Sequence, residues 1–285
     1  MQELKDRVAV ITGGASGIGL AMAKRFAREG MKLVLADVDE DALRRIEQEF
    51  RKAGVPVLAI RTDVSRSHDV ERLAEKTLAT FGAVHMVCNN AGVAPGGVVW
   101  ENTVADWEWV LGVNVWGVIH GVRVFVPVML RQDTPCHIVN TASVAGLLSV
   151  PGMGTYCVSK HAVVTLSECL HHDLAQRGSK IGVSLLCPAF VPTGIVDSER
   201  NRPPSLRNAS RARTPEDQAR DEQMRHAVQS GRVSADMVAE MVLDGVRQER
   251  FYIFTHPRIK AAIQARMEDV LNERNPIDTS KPSKH

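Results

Sequence analysis

Short runs of apolar residues alternate with longer segments of helical periodicity along this chain of 285 residues. Most runs are continuous rather than alternating, which is typical of strands buried on both faces of a parallel sheet. The alternation predicts an α/β, doubly wound fold with a seven-stranded parallel sheet flanked by helices. The predicted strands are 8–12, 32–36, 57–61, 84–88, 137–141, 181–186 and 251–255, and the predicted helices lie near 18–29, 40–53, 68–81, 104–131, 154–177, 235–248 and 257–274.

One stretch interrupts this alternation. Residues 193–232, called the lid segment below, contain Pro203-Pro204, few large apolar residues and more arginines than acidic residues. Such a stretch is too long for a plain connector, so it is either a lid over a site or a disordered insertion. No linker divides the chain, which predicts a single domain over 1–285 with a polar tail at 275–285 that frays.

The overall composition argues against several classes of protein. A formal net charge of +2 gives no reason to expect a nucleic-acid partner, and we expect no apolar run to approach the roughly 20 residues of a membrane span. The five cysteines are scattered and form no CxxC pair, which favours free thiols in a reducing cytoplasm. We therefore expect a cytoplasmic protein with neither nucleic-acid nor membrane partners, and we find no metal site.

A glycine-rich turn follows the first predicted strand and leads into a helix. Gly13, Gly17 and Gly19 allow a tight turn and close approach of the backbone to a diphosphate, whose charge the helix N-terminus favours. Ser16 occupies the place where a Gly-x-Gly-x-x-Gly motif has its middle glycine. A turn without a ligand is the alternative, but the position between strand and helix favours a dinucleotide site.

Asp37 ends the second predicted strand. A carboxylate there can accept hydrogen bonds from the adenosine ribose hydroxyls and repel a 2′-phosphate, which favours NAD over NADP. No arginine stands at position 37 or 38 to bind that phosphate. Asp37 and Asp39 also lie near a helix start, where either could be the N-cap. We assign Asp37 to the ribose and Asp39 to the cap.

Tyr156 and Lys160 are the strongest candidates for proton chemistry. Four residues apart on a helix, a phenol and an ammonium lie on one face. A nearby cation lowers the pKa of a tyrosine from its free value of about 10, so that it can exchange a proton with an alcohol or ketone. The pair alone is a weak signal, and its meaning depends on the motifs that precede it.

Taken together, these motifs resemble the short-chain dehydrogenase/reductase family in its common branch of about 250 residues, from about residue 5 to 255. The fold implied is of the Rossmann type. Each motif is weak alone, but their order and spacing are specific. The matching motifs are Thr-Gly-x-x-x-Gly-Ile-Gly at 12–19, Asp63-Val64, Asn89-Asn-Ala-Gly92, Asn114, Ser143, Tyr156-x-x-x-Lys160 and the segment from Pro188 to Thr193.

The resemblance implies a catalytic role for four of these residues. Tyr156 would be the general acid/base, and Lys160 would adjust its pKa and bind the nicotinamide ribose. Ser143 would hydrogen-bond the substrate oxygen, and Asn114 would hold a water that links Lys160 to solvent. The resemblance also implies a cofactor-binding set, namely Gly13, Ser16, Gly17, Ile18, Gly19, Asp37, Asp63, Val64, Asn90, Gly92, Tyr156, Lys160, Pro188, Val191 and Thr193. One departure is Ala189, where members of the family usually have glycine.

These residues predict an NAD-dependent oxidoreductase that interconverts a secondary alcohol and a ketone or aldehyde. A regulator that senses NAD(H) without turnover and an NADP-dependent carbonyl reductase are the alternatives. The residues expected near the substrate are mostly small or apolar, which favours a hydrophobic alcohol or ketone. The arginines of the lid segment offer a second idea, an anionic substrate, whose candidate residues are Arg200, Arg202, Arg207, Arg211 and Arg213.

Two predicted helices, 104–131 and 154–177, have more apolar surface than packing on one sheet requires. In the family such helices form a four-helix interface between subunits. The resemblance therefore implies a homodimer or homotetramer.

Overall fold

The computed structural model of the protein describes residues 1–208 and 214–278. Its strands form one parallel sheet in the order β3-β2-β1-β4-β5-β6-β7. This confirms the predicted fold class and all seven predicted strands, whose ends shift by no more than a few residues. The strands are β1 (Val8–Thr12), β2 (Lys32–Asp37), β3 (Val57–Arg61), β4 (Met86–Asn89), β5 (Cys136–Thr141), β6 (Ile181–Cys187) and β7 (Tyr252–Phe254).

Helices cover both faces of the sheet, which explains why the strands are apolar on both sides. Phe26 packs with Leu33 on one face, and Val10 packs with Leu73 and Phe125 on the other. Every residue of β1 is buried. The α-helices are α1 (Gly17–Arg28), α2 (Glu40–Lys52), α3 (Ser67–Phe81), α4 (Val104–Leu111), α5 (Gly117–Gln132), α6 (Gly154–Gln176), α7 (Pro215–Gln229), α8 (Ala235–Arg247) and α9 (Ile259–Leu271).

The predicted helix at 104–131 contains a π-helical turn over Gly112–Trp116 that separates α4 from α5. The whole run Val104–Gln132 is long and apolar enough to cross a membrane, so the expectation that no run comes near this limit was wrong. Phe125 and Met129 nevertheless lie fully buried against the sheet. The run is therefore accounted for as a core helix of this α/β fold.

The lid segment has more regular structure than the sequence suggested. It contains 3₁₀ turns at Gly194–Asn201 and Pro204–Leu206, followed by α7, and residues 209–213 lie outside the described part. Helix α7 was missed because Val228 is its only buried residue, so its sequence shows no apolar period. Its start was nevertheless signalled, because Thr214 and Asp217 form a capping box around Pro215.

The strand order reverses between β1 and β4, and this opens a crevice at their carboxyl ends. The Thr12 hydroxyl ties the two ends together. It accepts hydrogen bonds from the backbone N–H groups of Asn90 (2.9 Å) and Ala91 (3.1 Å). The glycine-rich turn after β1 and the Asn-Asn-Ala-Gly segment after β4 are thereby held side by side.

Candidate active site

The glycine-rich turn has the geometry of a diphosphate cradle. Gly13 and Gly17 have φ angles of +65° and +54°, which side chains rarely adopt. A Cβ on Gly19 would lie 2.1 Å from the Gly13 carbonyl oxygen and 2.7 Å from Asn90 Nδ2. Only glycine therefore permits α1 to begin so close to β1 and β4. The N-terminus of α1, which follows this turn, favours an anion.

Asp37 and Asp39 take the separate positions predicted for them at the end of β2. The Asp37 carboxylate accepts hydrogen bonds from the backbone N–H groups of Ala15 (3.1 Å) and Asp39 (3.2 Å). Burial raises the pKa of Asp37, and these backbone hydrogen bonds oppose the rise. Asp39 is the N-cap of α2 and accepts from Ala42 N at 2.9 Å, as predicted. Asp37 thus stands beside the glycine turn, with its carboxylate in the crevice.

Tyr156, Lys160 and Ser143 come together at the other end of the same crevice. Lys160 Nζ lies 5.6 Å from the centroid of the Tyr156 ring and donates to the Thr141 carbonyl oxygen at 2.9 Å. Ser143 Oγ donates to the Pro188 carbonyl oxygen at 3.2 Å. Helix α6 thus places the phenol and the ammonium, and the end of β5 places the serine hydroxyl.

The pKa of Tyr156 is shifted in the direction opposite to the one predicted from the sequence. Burial raises the pKa of Tyr156 to about 12, and the hydrogen bond between the Tyr156 and Ser143 hydroxyls opposes this only in part. Burial also lowers the pKa of Lys160 to about 8. The expected lowering of the tyrosine pKa is therefore wrong, because desolvation of the phenolate outweighs the interaction with the Ser143 hydroxyl. With this raised pKa Tyr156 is a neutral phenol, the form that donates a proton.

Asn114 lies in the π-helical turn and is fully buried. Its Oδ1 accepts from Val93 N (2.8 Å), while Nδ2 donates to the Val93 carbonyl oxygen (2.9 Å) and to Ser159 Oγ (3.0 Å). Both Nδ2 hydrogens are thus committed to the protein. The Asn114 side chain joins the segment after β4 to α6. That Asn114 holds a water remains a prediction, and such a water would have to bind atoms of Asn114 other than Nδ2.

One cavity connects the glycine turn to Tyr156, and all but two of the predicted site residues line it. Gly19 lies behind the cavity wall, packed on Gly13, and Asn114 lies behind Val93. The predicted residues that line the cavity are Gly13, Ser16, Gly17, Ile18, Asp37, Asp63, Val64, Asn90, Gly92, Ser143, Tyr156, Lys160, Pro188, Val191 and Thr193.

The cavity also has a wall that the sequence did not reveal. Trp109 of α4 and Leu206 of the lid segment pack together in one apolar cluster, and both line the cavity with Ser198. These residues lie far apart in the sequence and belong to no motif. Only the docking of the lid segment on α4 brings them together, so no local signal could have identified them.

Arg202 holds the lid segment on α4. It is 5% exposed, its Nη2 lies 2.7 Å from Asp106 Oδ1, and its guanidinium lies 4.9 Å from the centroid of the Trp109 ring. Glu199 and the Leu206 carbonyl oxygen take further hydrogen bonds from it. Arg202 is therefore unavailable to an anionic substrate, and its prediction as a residue that binds one is wrong. Arg207 is exposed, and Arg211 and Arg213 lie outside the described residues.

Comparison with known proteins identifies relatives over the whole chain. A family profile described as short chain dehydrogenase matches residues 7–204. The crystal structure of a short chain dehydrogenase/reductase from Burkholderia phymatum in complex with NAD shares 53% identity and a TM-score of 0.96, with 100% of both chains covered. A CLA biosynthesis dehydrogenase/reductase of Lactiplantibacillus plantarum is 33% identical over 97% of both sequences. A 1-deoxy-11-beta-hydroxypentalenate dehydrogenase of Streptomyces exfoliatus is 36% identical, over 94% of this chain and 89% of that protein.

Proposed function

The chain belongs to the short-chain dehydrogenase/reductase family, and on that premise we propose that it is an NAD-dependent oxidoreductase that interconverts a secondary alcohol and the corresponding ketone. One observation carries the proposal. Ser143, Tyr156 and Lys160 share a single cavity with the glycine turn and Asp37. Proton-transfer groups and a dinucleotide cradle are therefore joined in one crevice, which favours an enzyme over a regulator that only senses NAD(H).

The residues present fit a dinucleotide along the length of the cavity. The glycine turn lets α1 begin close to β1, where a Cβ on Gly19 would collide with Gly13, and so presents the helix N-terminus to a diphosphate. Asp37 offers a carboxylate to the ribose hydroxyls beyond it. Asp63 and Val64 line the cavity and would flank the adenine, while Val191 and Thr193 would hold the nicotinamide carboxamide. When bound, NAD supplies the acceptor for the hydride that leaves the carbinol carbon.

Side chains of the protein then transfer the proton. Ser143 Oγ holds the substrate oxygen beside the Tyr156 hydroxyl, which gives its proton to a ketone oxygen in reduction and takes one from an alcohol in oxidation. Lys160 keeps a positive charge close to the phenol and so favours the phenolate needed for oxidation. The raised pKa of Tyr156 favours the neutral phenol, which is the form that donates a proton in reduction.

A hydrophobic substrate fits the wall of the cavity. Trp109, Leu206 and Val228 line it with Val93 and Ile195 and present apolar surface to a ligand. The chain's relatives in Lactiplantibacillus and Streptomyces are named for CLA biosynthesis and for a hydroxypentalenate. We propose a secondary alcohol or ketone on a largely apolar skeleton as the substrate class.

The test is a panel of apolar secondary alcohols incubated with the purified protein and NAD, with NADH absorbance as the signal. We expect NADH to form with apolar alcohols and to form more slowly with small polar ones. The absence of NADH formation across the panel, and of NADH consumption across the matching ketones, would favour the sensing regulator instead.

Asp37 determines the choice between NAD and NADP in this proposal. We expect Asp37→Asn to reduce the preference for NAD over NADP, measured as the ratio of kcat/KM values, by tenfold or more, about 1.4 kcal/mol. The reason is that the charge that repels a 2′-phosphate is lost while the side chain keeps its size. The matched control is Asp41→Asn, which changes an exposed carboxylate outside the cavity that pairs with Arg44. An unchanged ratio in Asp37→Asn would contradict the assignment.

We also propose that the protein is a cytoplasmic homodimer or homotetramer. All five cysteines are free, which is consistent with a reducing compartment. Trp116, just before α5, and Val158 of α6 are 52% and 50% exposed, an apolar surface that a second subunit would cover. Light scattering should give a mass of two or four chains, whereas a monomer would remove this claim.

A further inference from the structure

Arg200, one of the lid-segment arginines considered for an anionic substrate, is a cation that lines the cavity. Its Nη1 donates to the backbone carbonyl oxygens of Gly194 (3.0 Å) and Asp197 (2.8 Å). Over residues 1–208 and 214–278 no carboxylate forms an ion pair with Arg200, whereas its neighbour Arg202 pairs with Asp106 and Glu199. Arg200 therefore brings a positive charge to the cavity that the described protein leaves uncompensated.

The guanidinium lies next to the segment that contacts the glycine turn. A Cβ on Gly194 would lie 3.5 Å from Arg200 Nη2. The preceding residue, Thr193, borders the turn itself, because a Cβ on Gly17 would lie 3.4 Å from Thr193 Cβ. With consecutive Cα atoms about 3.8 Å apart, this path places Arg200 Nη2 within roughly 15 Å of the N-terminus of α1, along the wall of the same cavity. That is the end of the helix at which a diphosphate binds in this type of fold.

The hydrogen-bond geometry leaves the binding edge of the guanidinium available. Two carbonyl groups use Nη1, and none of the described residues accepts a hydrogen bond from Nε or Nη2. These two nitrogens form the planar fork that recognises a phosphate with two parallel hydrogen bonds. A carboxylate in this place would have neutralised the charge, and two carbonyls only orient it.

The backbone around Arg200 is held on both sides. Ser198 Oγ accepts a hydrogen bond from Ala94 N at 3.2 Å, and Asp197 pairs with Arg225 of α7 at 2.7 Å. Arg202 then fixes the following turn on α4. The side chain thus starts from an ordered backbone, which lowers the entropy that a ligand must offset to use it.

We propose that Arg200 binds the diphosphate of the dinucleotide, so that the 3₁₀ turn Gly194–Asn201 forms part of the cofactor site. This inference rests on the proposed use of NAD. The glycine turn approaches the diphosphate with backbone N–H groups, and Arg200 adds a side-chain cation to the opposite side.

The test compares Arg200→Gln with Arg207→Gln by calorimetric titration of NADH and of ADP-ribose, which has the diphosphate but lacks the nicotinamide. We expect Arg200→Gln to raise the Kd of both ligands by tenfold or more and to weaken the salt dependence of both. Arg207 is an exposed arginine of the lid segment outside the cavity, so Arg207→Gln should leave both Kd values unchanged. Arg200→Lys keeps the positive charge but not the two-pronged guanidinium geometry, so it should lose less affinity for both ligands than Arg200→Gln.

The outcomes separate this inference from the proposed function. Equal Kd values for the wild-type protein and Arg200→Gln would overturn the diphosphate contact and leave NAD use intact. Weaker binding of NADH with unchanged binding of ADP-ribose would place the Arg200 contact on the nicotinamide half of the cofactor. That result would also overturn the diphosphate contact. If the wild-type protein bound neither ligand, the proposed function would fail, and this inference with it.

Discussion

Tyr156→Phe should lower kcat by about 10²–10⁴-fold in both directions while the Kd for NADH stays within a few fold of the wild-type value. The substitution removes only the phenolic oxygen, which is the atom that exchanges a proton with the substrate. The ring keeps its place beside Lys160. The measurement is steady-state turnover together with calorimetric titration of NADH.

The chain provides a matched control, because it has only two tyrosines. Tyr252 lies on β7, is 39% exposed and donates to Glu168. Burial and the neighbouring Glu168 carboxylate raise the pKa of Tyr252 to about 12, the same value as for Tyr156. Tyr252→Phe should keep wild-type turnover, which shows that position in the cavity and not the raised pKa makes a tyrosine catalytic. Wild-type turnover in the Tyr156→Phe variant would show that Tyr156 is not the general acid/base.

Lys160→Met should lower kcat for alcohol oxidation by about 10²-fold or more, because a buried phenolate then has no ammonium nearby. Lys160 is 3% exposed, and methionine fills its space without leaving a buried charge. Lys180→Met is the control, since Lys180 pairs with Asp133 at an exposed position far from the cavity. A loss of the same size in Lys180→Met would indicate a general effect of removing a lysine.

The same variant has a signature in stability. Burial lowers the pKa of Lys160 from its ordinary value of 10.5 to about 8 in the folded protein. Between these values the unfolded chain binds more protons at this residue, so its contribution to the free energy of unfolding rises with pH. We expect the wild-type protein to gain stability relative to Lys160→Met between pH 8 and about 10, measured by denaturant titration. A constant difference would show that Lys160 is not desolvated.

Much of the fold could be predicted because its signals are local. Continuous apolar runs such as Val8–Thr12 follow from burial on both faces of a parallel sheet, and the structure buries every residue of that strand. Helix α7 escaped prediction because it exposes nearly all its side chains, and a polar sequence without an apolar period gives no sign of a helix beyond its cap. The apolar character of Val104–Gln132 was underestimated, since this run is long and apolar enough to cross a membrane, although Phe125 and Met129 pack in the core.

Some residues of the candidate site could likewise be predicted from local sequence signals, and others could not. Gly13, Asp37 and Tyr156 could be placed from the sequence because each lies at a fixed point after a strand or on a helix face. Trp109 and Leu206 could not, because their contact depends on the buried pairing of Arg202 with Asp106. The pKa of Tyr156 could not be predicted either. Its direction depends on how deeply the phenol is buried, and the spacing to Lys160 does not reveal this.

Isotope tracing tests the proposed hydride transfer. The protein is incubated with NAD and an active secondary alcohol that has deuterium on its carbinol carbon, and the NADH is analysed by mass spectrometry. Direct transfer between substrate and cofactor in one cavity predicts that the NADH contains the deuterium and that the product ketone has lost it. NADH without deuterium, formed while the labelled alcohol is consumed, would contradict the proposed reaction.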